Sequence, residues 1–408
     1  MASGYQIAQQ HLGATAAYLW RKKGLDISRH DTTPTYCYHA AVIDHQIQAL
    51  RGVLPKQIAL HYAIKANPNP SLLAHMAPQV DGFDCASLAE MQLAINASGG
   101  RNAHISLAGP AKSTDELAFA VKHRIIINCE SASELNRIAD LAKTQQTNAK
   151  VALRINPPFA FKGAGMQMGG GPKPFGIDSE QIPELIAQWQ ADAHIQLVGF
   201  HLFAGSQQLN PELIGQMWLA SLNLIADWQA ETGFSPEQIV LGAGLGVAYH
   251  EPDTPLDLND LKPALREMAI CQQQLGNPYL ALESGRFLVA PAGVYFTRIV
   301  DIKFSRGETF LLCDGGMHQH LALSGNLGGV IRRNWPLVVP ELLDQPHDTA
   351  VQIHGPLCTP LDVLGQNQPM PANVEPGMHI AVLQSGAYGA SASPSGFLSR
   401  PALQERLI

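Results

Sequence analysis

The chain is poor in the features that most quickly sort a protein into a class. It has six cysteines (37, 85, 129, 271, 313 and 358), scattered, with no Cys-x-x-Cys pair and no histidine beside them at zinc spacing. That excludes a zinc ribbon and a disulfide framework, and it fits reduced thiols in a cytoplasm. Charged residues make up only 15% of the chain, 27 basic against 34 acidic, for a formal charge of −7, and no long basic run occurs. Nucleic acid is therefore not an expected partner. No apolar run approaches the length that spans a bilayer, and Met1 to Leu12 is polar without a basic leader. A soluble, cytoplasmic protein with no membrane partner is expected. Internal repeats and low-complexity tracts are missing too. What is abundant is apolar content, 46% over 408 residues, enough for one large core and a smaller one.

The stretch His61-Tyr62-Ala63-Ile64-Lys65-Ala66-Asn67-Pro68-Asn69-Pro70 is distinctive. Ile58 to Ile64 reads as a buried strand, and the two prolines beyond Lys65 cannot continue a ladder. Lys65 therefore stands at a strand's carboxyl end. A lysine among apolar neighbours either reaches solvent or loses its proton and becomes a nucleophile able to form a Schiff base. By itself the motif fits both readings.

From Lys65 onward, eight strand candidates recur: 58–65, 80–84, 104–108, 125–128, 151–155, 197–201, 239–242 and 279–283. Between them lie helical stretches such as Ser87 to Ala97, Ser113 to His123, Ser131 to Thr144, Ser179 to Ala191, Pro211 to Thr232 and Asp260 to Leu275, several opened by a Ser, Thr or Asp cap. Eight alternating units predict an α/β (β/α)8 TIM-type barrel, in which chemistry sits at the strands' carboxyl ends. Those ends carry Lys65, Asp84, Gly109, Asn128, Arg154, His201, the turn Gly242 to Gly246, and Glu283.

Residues 1–39 read as a helix (Gln6 to Lys22) and a strand near Tyr36 that joins a second domain, 40–286 as the barrel, and 287–408 as a C-terminal β-rich domain. Strands there are expected at 294–303, 309–314, 351–355 and 379–384. Two irregular regions, Phe159 to Gly176 and Met317 to Trp335, are long enough to be functional or disordered.

Gly242-Ala243-Gly244-Leu245-Gly246 follows the seventh strand, where barrels cluster their phosphate sites, so its N–H groups suit an anion; a plain tight turn fits equally. Glu283-Ser284-Gly285-Arg286 ends strand eight with a carboxylate and an arginine, which read either as a surface ion pair or as part of a site. A Schiff-base lysine, a phosphate cradle and an acid for a pyridinium nitrogen together meet the needs of pyridoxal 5'-phosphate. His201 could stack on a flat ring, although a lone histidine is commonly a core residue, and Ser206 could bind phosphate. Cys358 sits in a Gly/Pro turn, Gly355-Pro356-Leu357-Cys358-Thr359, where an exposed thiol could donate a proton.

Taken in order, Tyr-Ala-Ile-Lys-Ala-Asn, Asp84-x-Ala86-Ser87, His201 with Gly205-Ser206-Gln207, the glycine turn, Glu283-x-Gly285-Arg286, Gly355-Pro356-x-Cys358 and Gly386-Ala387-Tyr388 resemble the fold-type III pyridoxal-phosphate decarboxylases of the ornithine and diaminopimelate type. The likeness covers almost the whole chain and implies the alanine racemase-like fold, a barrel plus a β domain. It further implies that Lys65 carries the internal aldimine, His201 stacks on the ring and Glu283 pairs with its nitrogen. Asp84 and Arg154 would lie beside the cofactor, and Ser206, Gly244, Gly246, Gly285, Arg286 and Tyr388 would hold phosphate or a substrate carboxylate. Cys358 would reach the neighbouring subunit's site in a head-to-tail homodimer.

The departures are informative. Ala243 and Ser284 stand where the family usually has glycine and proline, a tolerable change, whereas Thr359 stands where decarboxylases of free diamino acids carry an acid after the cysteine. Without that charge a distal ammonium loses a charge-assisted hydrogen bond. The chain is more similar to a bacterial subgroup that includes exosortase-associated, glutamyl-acyl-carrier-protein and citrate-siderophore decarboxylases, through Lys162 to Gly171, Ser324-Gly325-Asn326 to Pro336, and Cys358-Thr359-Pro360-Leu361-Asp362. That likeness implies a substrate conjugated to a carrier protein or a citryl group, with Arg332, Arg333, Thr359 and Asp362 beside it; surface arginines fit Arg332 and Arg333 equally. A diaminopimelate decarboxylase, a racemase and a non-catalytic cofactor-binding protein stand as alternatives. Racemases of this fold set an arginine, not a glutamate, against the ring nitrogen.

Overall fold

The computed structural model describes residues 1–30, 32–100, 103–159, 166–167, 169–250, 253–325 and 333–408. They form two compact units. One comprises Ile47–Val247 with Leu256–Gly285, the other Met1–Gln46, Ala248–Pro255 and Arg286–Ile408.

The first unit is a closed parallel barrel. Its strands, numbered here in chain order, are β1 Ile58–Ala63, β2 Gly82–Cys85, β3 His104–Leu107, β4 Ile126–Cys129, β5 Ala149–Asn156, β6 Ile195–Leu202, β7 Gln238–Gly242 and β8 Tyr279–Ser284. Each pairs in parallel with the next, and β8 returns to β1 through Glu283↔His61. All eight expected strands are present. The sequence reading runs β1 through Lys65, whereas the strand ends at Ala63 and Lys65 lies in a single 3-10 turn, Ile64–Ala66.

Side-chain oxygens start the helices between strands: Ser87 accepts from Glu90 N, Ser131 from Glu134 N, and Ser113 forms a reciprocal capping box with Glu116. Two expected starts are different. Ser179 and Asp260 both fall in short 3-10 turns, ahead of helices Ile182–Trp189 and Lys262–Gln274 that begin with a proline in their first turn.

Alternation along each strand decides what fills the barrel. Ala59, Val240 and Ala281 pack as a small apolar layer, with Tyr279 against it. His61, next along β1, bonds the Tyr279 hydroxyl through Nε2 at 2.9 Å. Toward the carboxyl ends the interior turns polar, and there the site lies.

The second unit is built on an eight-stranded mixed sheet. Gly293–Ser305 is its long central strand, flanked by Glu308–Cys313 and His379–Val382, with Thr349–His354 and Val363–Met370 beyond. The strand Thr35–Tyr38 joins it, Tyr36 opposite Tyr295. Helix Gly4–His30 precedes it and is broken at Gly13 (φ 78°, ψ 161°), a conformation that glycine adopts without strain. No helix among the described residues is long and apolar enough to cross a membrane.

Candidate active site

The turn that holds Lys65 is braced by its own motif. The buried Tyr62 hydroxyl donates to Asn67 O at 3.0 Å, Asn67 N closes on Ile64 O, and Asn67 Oδ1 accepts from Asn69 N. Asn69 then caps helix Pro70–Met76. Gly285, past β8, allows close approach: a Cβ there would lie 2.9 Å from Ala66 Cβ and 3.1 Å from Ala63 O. Lys65 is thereby set against strand eight. Its Nζ lies 3.5 Å from Glu283 Oε1 and 4.9 Å from the centroid of the Phe203 ring.

Glu283 is almost wholly buried, and its second oxygen receives His201 Nε2 at 3.0 Å. Burial alone would raise its pKa, but the Lys65 ammonium, the His201 hydrogen bond and Arg154 outweigh that and hold the carboxyl well below the usual carboxylate range. Asp84 goes the other way. Burial pushes it up, the charge on Glu283 adds to the push, and Lys65 and the Ser106 hydroxyl (2.9 Å to Oδ1) do not compensate. The two carboxyl groups are thus displaced in opposite directions. Burial lowers the pKa of His201, its Nε2 faces Glu283, and its buried Nδ1 has no partner among the described residues.

Acceptor atoms of Asp84, His201 and Glu283 lie within 4.8 Å of one another, a donor set that a divalent metal could use. The Lys65 ammonium already supplies a positive charge at Glu283.

At the end of β7, Ala243 N donates to Glu283 O, Gly246 N to Gln208 O and Val247 N to Gln207 Oε1. The intervening N–H groups of Gly244 and Leu245 make no hydrogen bond to another described residue. Gly244 has φ +73°, and a Cβ on Gly242 would strike Phe203. Ser206 is half-buried in a two-residue ladder with Met166–Gln167. A lysine amine set against a buried acid and backbone donors left open at a glycine turn fit pyridoxal phosphate in chemistry and placement.

Glu130 has no assigned role in the sequence reading, yet it organises this rim. Its Oε1 accepts from Arg154 Nη1 at 2.6 Å and Gly109 N at 2.7 Å, and its Oε2 from Gly176 N at 3.0 Å. It therefore joins the ends of β3 and β5 and the close of the glycine-rich segment. The signal was available: an acid directly after a strand and before a serine cap.

Other expected site residues lie in the second unit. Arg286 Nη1 donates to the Tyr249 hydroxyl at 3.2 Å, its guanidinium lies 4.6 Å from the Tyr388 ring, and its buried Nε has no partner among the described residues. Cys358 is exposed. Asp362 is buried, and its oxygens accept from Met317 N (2.6 Å) and Leu357 N (2.8 Å), so it braces the Cys358 loop from beneath. Thr359 Oγ1 accepts from Leu361 N. Arg333 is exposed, 4.0 Å from Asp253, while Arg332, with 160–165, 168 and 326–332, lies outside the described residues.

Comparison with known proteins agrees with this chemistry. Residues 40–290 match the family described as pyridoxal-dependent decarboxylase, pyridoxal binding domain. The chain is 34% identical to the L-glutamyl-(BtrI acyl-carrier protein) decarboxylase of Niallia circulans, over 92% of this chain and 88% of that one. It is 29% identical to the 2-((L-alanin-3-ylcarbamoyl)methyl)-2-hydroxybutanedioate decarboxylase of Staphylococcus aureus, over 90% and 92%. Among solved structures, diaminopimelate decarboxylase from Helicobacter pylori in complex with L-lysine superposes with a TM-score of 0.83 at 27% identity, covering 94% of this chain and 93% of that one.

Proposed function

The chain belongs to the pyridoxal-dependent decarboxylases, and from that premise we propose that it removes the α-carboxylate of an amino acid joined to a larger group, a carrier protein or a citryl moiety. It is a carboxy-lyase that uses pyridoxal 5'-phosphate. The observation that carries the proposed site is the 3.5 Å approach of Lys65 Nζ to the ionised, buried Glu283.

In this reading Lys65 Nζ would leave Glu283, since a ring does not fit across 3.5 Å, to hold the cofactor's carbonyl carbon, and Glu283 would face its ring nitrogen. Ser206, Gly244 and Gly246 take the phosphate, Arg286 and Tyr388 take phosphate or a substrate carboxylate, and His201 lies against the ring face. Bound there, the ring serves as an electron sink for the pair left behind when carbon dioxide departs. Glu283, kept anionic, holds a proton at the facing nitrogen and so deepens that sink. The reaction consumes one proton per turnover, and the exposed Cys358 thiol is the proposed donor to the carbon, reloaded from solvent. Cys358 would serve the neighbouring subunit of a homodimer, in the cytoplasm where its thiol stays reduced.

A conjugated substrate is favoured by Thr359, which offers no charge to a distal ammonium, and by the two relatives that act on conjugates. The test is carbon dioxide release from free glutamate, lysine and diaminopimelate against carrier-linked and citryl-linked amino acids. Higher kcat/KM on a free diamino acid would replace this reading with that of the diaminopimelate enzymes.

A further inference from the structure

Asn128, in β4, is fully buried, and among the described residues neither its amide nitrogen nor its amide oxygen has a hydrogen-bond partner. Its backbone carbonyl is engaged, accepting from Lys112 Nζ at 2.8 Å. The side chain points into the barrel by register. Ser106 faces inward, because its hydroxyl reaches Asp84, and it pairs with Ile126, so alternation turns Asn128 inward as well. On its other side Asn128 pairs with Ala152, two residues before Arg154 on β5.

Its neighbours on this wall are already committed. Ser106 gives its hydroxyl to Asp84, and Arg154 gives Nη1 to Glu130. Asn128 is left as a buried amide with donor and acceptor both unspent, an arrangement that is costly unless something bonds it. A leucine of similar volume would fill the space without that cost. The amide is therefore the mark of a ligand atom that comes and goes.

The inference rests on the proposed cofactor site and names one atom of it. Glu283 answers for the ring nitrogen, Lys65 for the carbonyl carbon and the glycine turn for the phosphate. The polar atom of pyridoxal phosphate still without a protein partner is the oxygen on ring carbon three. An amide N–H is a matching donor for an oxygen that carries partial or full negative charge. We propose that Asn128 Nδ2 hydrogen-bonds that 3-oxygen, which makes Asn128 a cofactor-binding residue.

The test compares binding of pyridoxal phosphate and of its 3-deoxy analogue to cofactor-stripped enzyme, for the unaltered chain and for Asn128→Leu and Asn128→Ala. The unaltered enzyme should prefer pyridoxal phosphate by about tenfold, and both variants should bind the two ligands alike. Cofactor-free Asn128→Leu should melt no lower than the unaltered protein, since it loses an unpaired amide. A preference that persists in either variant would overturn the role of Asn128 while leaving the cofactor site in place. An unaltered enzyme that binds neither ligand would remove the cofactor site itself. Because the preference is a ratio within one protein, a general loss of stability in one variant does not mask it.

Discussion

Asp84 and Glu283 present acceptor oxygens within 4.8 Å of each other in the same buried interior, and their pKa values are displaced in opposite directions. Lys65 and His201 both contact Glu283 and stabilise its charge, whereas the hydrogen bond given to Asp84 comes from a neutral serine. The second negative charge is therefore the one suppressed.

This asymmetry fixes the sign of a pH effect. Asp84 has a native pKa above its unfolded value of about 4, so the native state keeps a proton that the unfolded state releases, and stability falls as pH rises between the two values. Asp84→Asn removes the titration. In the cofactor-free enzyme it should be more stable than the unaltered chain at neutral pH. The gap should open at about 1.4 kcal/mol per pH unit above pH ~4 and close below it. Glu283, held low, acts with the opposite sign: its contribution is present above about pH 4.3 and is lost as pH falls through its depressed native pKa. Thermal melts between pH 4 and 8 measure the Asp84 effect, and melts below pH 4 the Glu283 one; an Asp84→Asn advantage independent of pH would contradict the assignment.

Lys65→Ala should abolish the visible absorption band and its reduction by borohydride, and lower kcat by at least about 10³-fold. It also takes away the nearest counter-charge of Glu283, which then rises toward the ordinary carboxylate range. Retention of a borohydride-sensitive band would assign the cofactor to another amine.

Glu130→Gln should leave the Arg154 guanidinium buried without its hydrogen-bonded charge partner and cost about 3 kcal/mol of stability, read from denaturant unfolding. Replacing both, as Glu130→Gln with Arg154→Met, should return most of that stability without restoring activity. Full activity in the double variant would reduce the pair to scaffolding.

How much of this was legible in the sequence depends on whether a signal was periodic or spatial. Eight short apolar runs at regular intervals named the barrel, because strand burial and helix capping are local properties. Lys65 and Glu283 were legible too, since strand ends in a barrel share one rim. The end of β1 was missed by two residues because Ile64 is as apolar as the strand before it, and the turn there is closed by the Tyr62–Asn67 and Asn67–Ile64 bonds, both of which involve Asn67, beyond the apolar run. Val363–Met370 went unseen because Asn367 and Pro369 argue against a strand, and pairing with Thr349–His354 overrides them. Glu130 was missed for a different reason. Its partners, Gly109, Arg154 and Gly176, come from three separate segments and meet only in the closed barrel.

Specificity is the remaining question, and Thr359 is where it can be moved. The residue follows the exposed Cys358, is itself half-buried, and has a hydroxyl that serves Leu361 N. It contributes no charge. Thr359→Glu places a carboxylate beside the proposed proton donor, where a distal ammonium would gain a charge-assisted hydrogen bond in both the bound and transition states. A gain of that kind, about 1.5–3 kcal/mol, corresponds to roughly ten- to a hundredfold in kcat/KM for lysine or diaminopimelate. The same carboxylate offers nothing to a carrier-linked or citryl-linked amino acid, so activity on the conjugate should fall or stay level, and the ratio of the two activities should shift with the free diamino acid. If the ratio is unmoved by Thr359→Glu, the residue after the cysteine does not meet the distal end of the substrate, and the proposed preference for conjugates must rest on residues elsewhere along the chain.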